Sequence, residues 1–142
     1  MSDAKGAGPR ARPLSPHLVG GQHILFWRWH LTMFCSMLHR ATGIFLYLGA
    51  FVAAAWAFSL ASGPDAYGDF LVIIGSPIGK LFLMGLTFSA FYHLANGVRH
   101  LFWDFGVGFQ RSEADTSAVV VLSFGAAATV AVWVIAALSG GL

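Results

Sequence analysis

The chain has 142 residues, of which 57% are hydrophobic and only 10% charged, against about 25% charged in a soluble domain. So few charges cannot cover a soluble surface, and a net charge of +2 with no basic run longer than two residues cannot track a phosphate backbone. An ordinary cytosolic enzyme, a disordered tail and a nucleic-acid binder are excluded, and an integral membrane protein remains. The single cysteine, Cys35, rules out an intrachain disulfide, a cysteine-built zinc site and an iron–sulfur cluster held by this chain alone.

Residues 1–30 read as an extended and interfacial segment. Gly6, Gly8, Pro9, Pro13 and Pro16, interleaved with Lys5, Arg10 and Arg12, disfavour regular structure. Gly20-Gly21 marks a turn. Phe26, Trp27, Arg28 and Trp29 suit the headgroup layer.

Residues 31–142 read as a transmembrane domain. Uncharged runs extend from Ala41 to Ser62, from Leu81 to Val98 and from Thr116 to Leu142. About 20 apolar residues cross the hydrocarbon core as a helix. The expectation is an all-α membrane protein with three spans, near 33–59, 77–102 and 116–138. The stretch from Gly63 to Lys80 between the first two reads as a loop.

Charge supplies an orientation. Lys5, Arg10, Arg12, Arg28 and Arg40 precede or open the first span, and Arg99 and Arg111 flank the second loop. The first loop carries Lys80 against Asp65 and Asp69, and the C-terminus carries no cation. By the positive-inside rule the N-terminus and the second loop face the cytoplasm or matrix.

Two polar clusters then fall at the inner ends of spans one and two. Ser36, His39 and Arg40 are spaced i, i+3, i+4 and share a helix face, with Gly43 on the same stripe. Arg40 stands at the membrane boundary, where a cation either snorkels or pairs with an anion or polar ligand. Ser36 and Arg40 could donate to the two carbonyl oxygens of a quinone headgroup. In span two, His93, Asn96, Gly97 and His100 follow i, i+3, i+4, i+7 and predict one stripe. His93 lies six residues before Arg99, roughly 9 Å deeper at the helical rise. A deep imidazole hydrogen-bonds across helices, lines a wet cavity or binds a metal. Neutral imidazole is a strong iron ligand, and Gly97 leaves space where a flat macrocycle could approach. His100 belongs at the interface, solvated or beside a haem propionate. With one well-buried histidine, a six-coordinate haem would need a second axial ligand from another chain, or an unusual use of His39 or His100.

These motifs carry a resemblance. Ser36-x-x-His39-Arg40-x-Thr42-Gly43, then His93-x-x-Asn96-Gly97-x-Arg99-His100-Leu101-x-Trp103-Asp104, preceded by Arg12-Pro13-Leu14-Ser15-Pro16-His17-Leu18, resembles the cytochrome b subunits of succinate dehydrogenase. The chain departs from that pattern in being several residues longer between Leu18 and Arg28. The resemblance implies a membrane anchor for a flavoprotein subunit and an iron–sulfur subunit, bundled with a second membrane anchor subunit. It implies that His93 is an axial ligand of haem b and that the partner anchor supplies the other. It implies that Ser36 and Arg40 serve the ubiquinone site and that His39, Arg40 and His100 lie around the haem propionates, with Gly97 added to the haem environment by its place one turn from His93. The expected place is a bacterial inner membrane rather than a mitochondrial one, with no nucleic-acid partner and no catalysis by this chain alone. Rival readings are a fumarate reductase anchor, a small proton- or ion-conducting subunit, and a purely structural anchor.

Overall fold

The computed structural model describes residues 30–141. Among the described residues every regular element is helical: α1 (Leu31–Ser62), α2 (Pro64–Ile74), α3 (Pro77–Asp104) and α4 (Arg111–Leu138). Helices α1, α3 and α4 are each long and apolar enough to cross a membrane. Their 32, 28 and 28 residues correspond to about 48, 42 and 42 Å, longer than a hydrocarbon core of about 30 Å. The three expected spans are therefore present, and the spare turns carry the polar ends. The expected N-terminal segment lies outside the described residues, apart from His30.

Local sequence explains the boundaries. Gly63 breaks α1 from α2 with φ 110°, a value that a side chain disfavours, and Pro64 opens α2 at its first turn. Helix α2 corrects the reading of 63–80 as a loop. Pro64 with Asp65 in the first turn is a helix-start signal, although 11 residues are too few to span. Ser76 caps α3 by accepting from the Gly79 amide at 3.1 Å, with Pro77 following it. A capping box between Gln110 and Glu113 starts α4 five residues before the expected position. The connecting turn uses Gly106 and Gly108 at φ 81° and 85°, and Trp103 Nε1 donates to the Gly108 carbonyl at 3.0 Å.

Helix α3 is the centre of the arrangement. It packs most extensively on α4 and next on α1, while α1 and α4 touch less. The buried residues between helices are mostly small: Cys35, Thr42, Ser89, Ala118, Gly125 and Thr129. Small residues let backbones approach closely where no water drives association. Large apolar side chains such as Tyr47, Phe51, Phe58, Ile78 and Leu138 point outward. Only Cys35, Thr42 and Ser59 are buried on α1, so most of that helix is uncovered.

Candidate functional site

The start of α1, the end of α3 and the start of α4 meet at one end of the bundle. Antiparallel packing of α1 on α3 brings three histidines into one file there. The His39 and His93 rings stack with centroids 3.8 Å apart and an interplanar angle of 17°. His39 also stacks on His100 at 5.2 Å and 21°. All three rings are half-buried.

The contacts of His93 come from the next turn of α1. Its Nδ1 lies 3.3 Å from Thr42 Oγ1. The same hydroxyl donates to the His39 carbonyl at 3.0 Å. A Cβ on Gly43 would stand 3.1 Å from His93 Cε1, tighter than ordinary van der Waals contact, so glycine is what lets the ring lie there. His100 Nδ1 lies 2.8 Å from the Asn96 carbonyl. A carbonyl only accepts, so a neutral His100 presents Nε2 as an acceptor and can donate to a carboxylate only as the doubly protonated cation.

The expected single stripe of His93, Asn96, Gly97 and His100 is divided. His93 and His100 turn to His39 on α1. Asn96 is fully buried, and its Oδ1 accepts from Arg99 Nη1 at 3.3 Å. Gly97 has open space where a Cβ would stand. Ser36 and Arg40 are exposed on α1, and their side chains make no hydrogen bond with other described residues. The structure thus assembles the histidines and leaves the two proposed quinone donors facing outward.

Arg99 is the residue that sequence reading undervalued. It reads as a topology-setting cation, yet it is only 5% exposed. Its Nε donates to Ser117 Oγ at 2.8 Å and its Nη2 to the Ala114 carbonyl at 2.9 Å. Its guanidinium carbon lies 4.0 Å from the Trp103 ring centroid. A buried cation is tolerable when every donor finds an acceptor and an aromatic face covers it. Nearby, Tyr92 is fully buried and donates its hydroxyl to the Cys35 carbonyl at 2.7 Å. Arg99 clamps α3 to α4, and Tyr92 clamps α3 to α1. Both hold the helix that carries His93.

Two buried polar atoms have no partner among the described residues, His39 Nδ1 and Asn96 Nδ2. An orphaned imidazole nitrogen beside His93 fits a polar group contributed from outside this chain.

Residues 9–132 match the family model described as succinate dehydrogenase/fumarate reductase transmembrane subunit. The chain is 32% identical over 123 residues to the succinate dehydrogenase cytochrome b556 subunit of Rickettsia felis, covering 87% of this chain and 91% of that one. Against the subunit of the same name from Rickettsia bellii it is 33% identical over 126 residues, with the same coverage. It is 34% identical over 113 residues to the mitochondrial succinate dehydrogenase cytochrome b560 subunit of Sus scrofa, covering 78% of this chain and 63% of that one.

Proposed function

The chain belongs to the succinate dehydrogenase/fumarate reductase transmembrane subunit family, and from that premise we propose that it is the haem-b-bearing membrane anchor of a succinate–ubiquinone oxidoreductase. The resemblance carried by its motifs is borne out by the relatives named cytochrome b556 and b560 subunits. The observation that carries the reading is the His39–His93 pair, with His93 held by Thr42 and Gly43. Its partners are a second membrane anchor subunit, an iron–sulfur subunit and a flavoprotein subunit, in a bacterial inner membrane. The largely uncovered α1 offers a face for the second anchor.

The residues present fit haem b. His93 would hold the haem iron from this chain, and the second anchor would supply a further ligand. His39 Nδ1, buried and without a partner among the described residues, suits a propionate or its water. Arg40 would add positive charge for the same carboxylates, and open space at Gly97 admits a flat ring. Bound haem supplies one-electron storage between ferric and ferrous iron.

Ser36 and Arg40 would serve ubiquinone. Reduction to the quinol takes two electrons, which originate in succinate and arrive through the iron–sulfur subunit, and two protons. A quinone oxygen gains negative charge as electrons arrive, and a guanidinium donor stabilises that charge more than the neutral carbonyl. The Ser36 hydroxyl is a second donor that fixes headgroup orientation. The positive-inside rule puts this end of the bundle on the cytoplasmic side, where the iron–sulfur subunit would dock. Relatives named for succinate dehydrogenase favour succinate oxidation over fumarate reduction as the working direction.

The test is a reduced-minus-oxidised absorption spectrum of the intact purified complex, together with succinate-driven ubiquinone reduction. A reducible haem b α-band with quinone reductase activity is expected. A complex without haem would contradict the cofactor assignment, and a haem protein without succinate–quinone activity would contradict the reaction.

A further inference from the structure

Thr42 is 4% exposed and sits between two groups that make different demands on its hydroxyl. Its Oγ1 lies 3.0 Å from the His39 carbonyl oxygen and 3.3 Å from His93 Nδ1. A hydroxyl has one proton to give and two lone pairs. The His39 carbonyl can only accept and is the nearer of the two, so the proton goes to it. What Oγ1 then presents to His93 is a lone pair, and the ring nitrogen facing it must carry hydrogen. A neutral imidazole has one N–H. With that hydrogen on Nδ1, Nε2 is bare.

We infer that Thr42 is a positioning residue that fixes His93 in the Nδ1–H tautomer, so that Nε2 is the ring atom offered to iron. This rests on the haem reading above. The rest of the packing is consistent with that role. Gly43 borders the ring at Cε1, and His39 covers one ring face. A metal is approached in the ring plane, so neither neighbour competes for the Nε2 lone pair. A hydrogen bond accepted from Nδ1–H makes the imidazole a stronger donor to iron, which favours the ferric state. Thr42 would therefore tune the haem as well as orient its ligand.

The test uses the intact complex with Thr42→Val, which keeps the shape and loses the hydroxyl, and Thr42→Ser, which keeps the hydroxyl. The readouts are the low-spin haem resonance in electron paramagnetic spectra, the haem midpoint potential and haem retention. Expected for Thr42→Val are a shifted resonance, a raised midpoint potential and weaker haem binding, within the roughly 10–100-fold typical of lost outer hydrogen bonds to a ligand histidine. Thr42→Ser should restore the wild-type signature. Haem-loaded Thr42→Val with wild-type resonance and potential would overturn the inference while leaving the haem reading intact. Absence of haem from the wild-type complex would instead overturn the haem reading. Failure of Thr42→Val to assemble, with Thr42→Ser assembling and spectrally normal, supports a required hydroxyl. Failure of both variants to assemble would make Thr42 a packing residue and overturn the inference.

Discussion

His39 on α1 and His93 on α3 lie ring against ring, 3.8 Å between centroids. The contact joins residues 54 positions apart in the chain and sets the register of two antiparallel spans. Stacking restrains the His93 ring without using its nitrogens. Thr42 takes up one of those nitrogens, and the other is the atom that the haem proposal assigns to iron.

The helix that carries His93 is held from both sides, and the two clamps differ in strength. Arg99→Leu removes three hydrogen bonds and takes the donor away from the fully buried Asn96 Oδ1, while Ser117 still donates to the Ala114 carbonyl. Cross-helix hydrogen bonds in membranes average about 0.6 kcal/mol, and bonds to a charged donor contribute about 1.5–3 kcal/mol in proteins generally. A loss of about 3 kcal/mol is expected. Tyr92→Phe removes one bond and should cost about 1 kcal/mol. Arg99→Lys should rescue little, because an ammonium cannot reproduce the guanidinium fork. Thermal denaturation of the detergent-solubilised complex checks the order: Arg99→Leu lowest, then Arg99→Lys, then Tyr92→Phe. Equal midpoints for Arg99→Leu and Tyr92→Phe would contradict it.

Ser36 and Arg40 face outward, so their replacement should disturb chemistry more than packing. Ser36→Ala loses one neutral donor, about 0.5–1.5 kcal/mol, or roughly two- to tenfold in quinone reduction. Arg40→Leu loses a charge-assisted donor and should fall further. Succinate oxidation with a dye that accepts electrons ahead of the quinone should stay near wild type in both. Loss of dye reduction, with normal quinone kinetics per assembled complex, would make both residues assembly elements.

The orientation drawn from Lys and Arg places the turn between α3 and α4 inside and α2 outside. A cysteine introduced at exposed Ser112, in a Cys35→Ser background, should label from the cytoplasmic side of oriented vesicles. Labelling from the periplasmic side would separate the histidine file from the iron–sulfur partner.

Much of this arrangement was legible in the sequence, because it depends on periodicity and length. Uncharged runs mark the three spans, and chain position puts Ser36, His39 and Arg40 at one end of α1, but their shared spacing does not show that His39 turns to α3 while Ser36 and Arg40 face outward. Helix α2 is hidden in the sequence because Gly63, Pro64, Asp65 and Asp69 suggest a loop, whereas Pro64 and Asp65 also start a helix. Arg99 reads as a boundary marker because its acceptors, Ser117 and Ala114, lie on another helix and are neutral. No charge pattern announces such partners. Asn96 leaves the predicted stripe for the same reason, since it follows Arg99 rather than the histidines. The role of Thr42 depends on two simultaneous distances, which spacing alone cannot supply.

The most direct test of the account is the haem spectrum of the assembled His93→Ala complex. Alanine removes the imidazole and leaves the clamps made by Arg99 and Tyr92 untouched. The complex should still insert and assemble, with its haem either lost or converted from low spin to high spin. An assembled His93→Ala complex that keeps a full complement of unaltered low-spin haem would contradict the account.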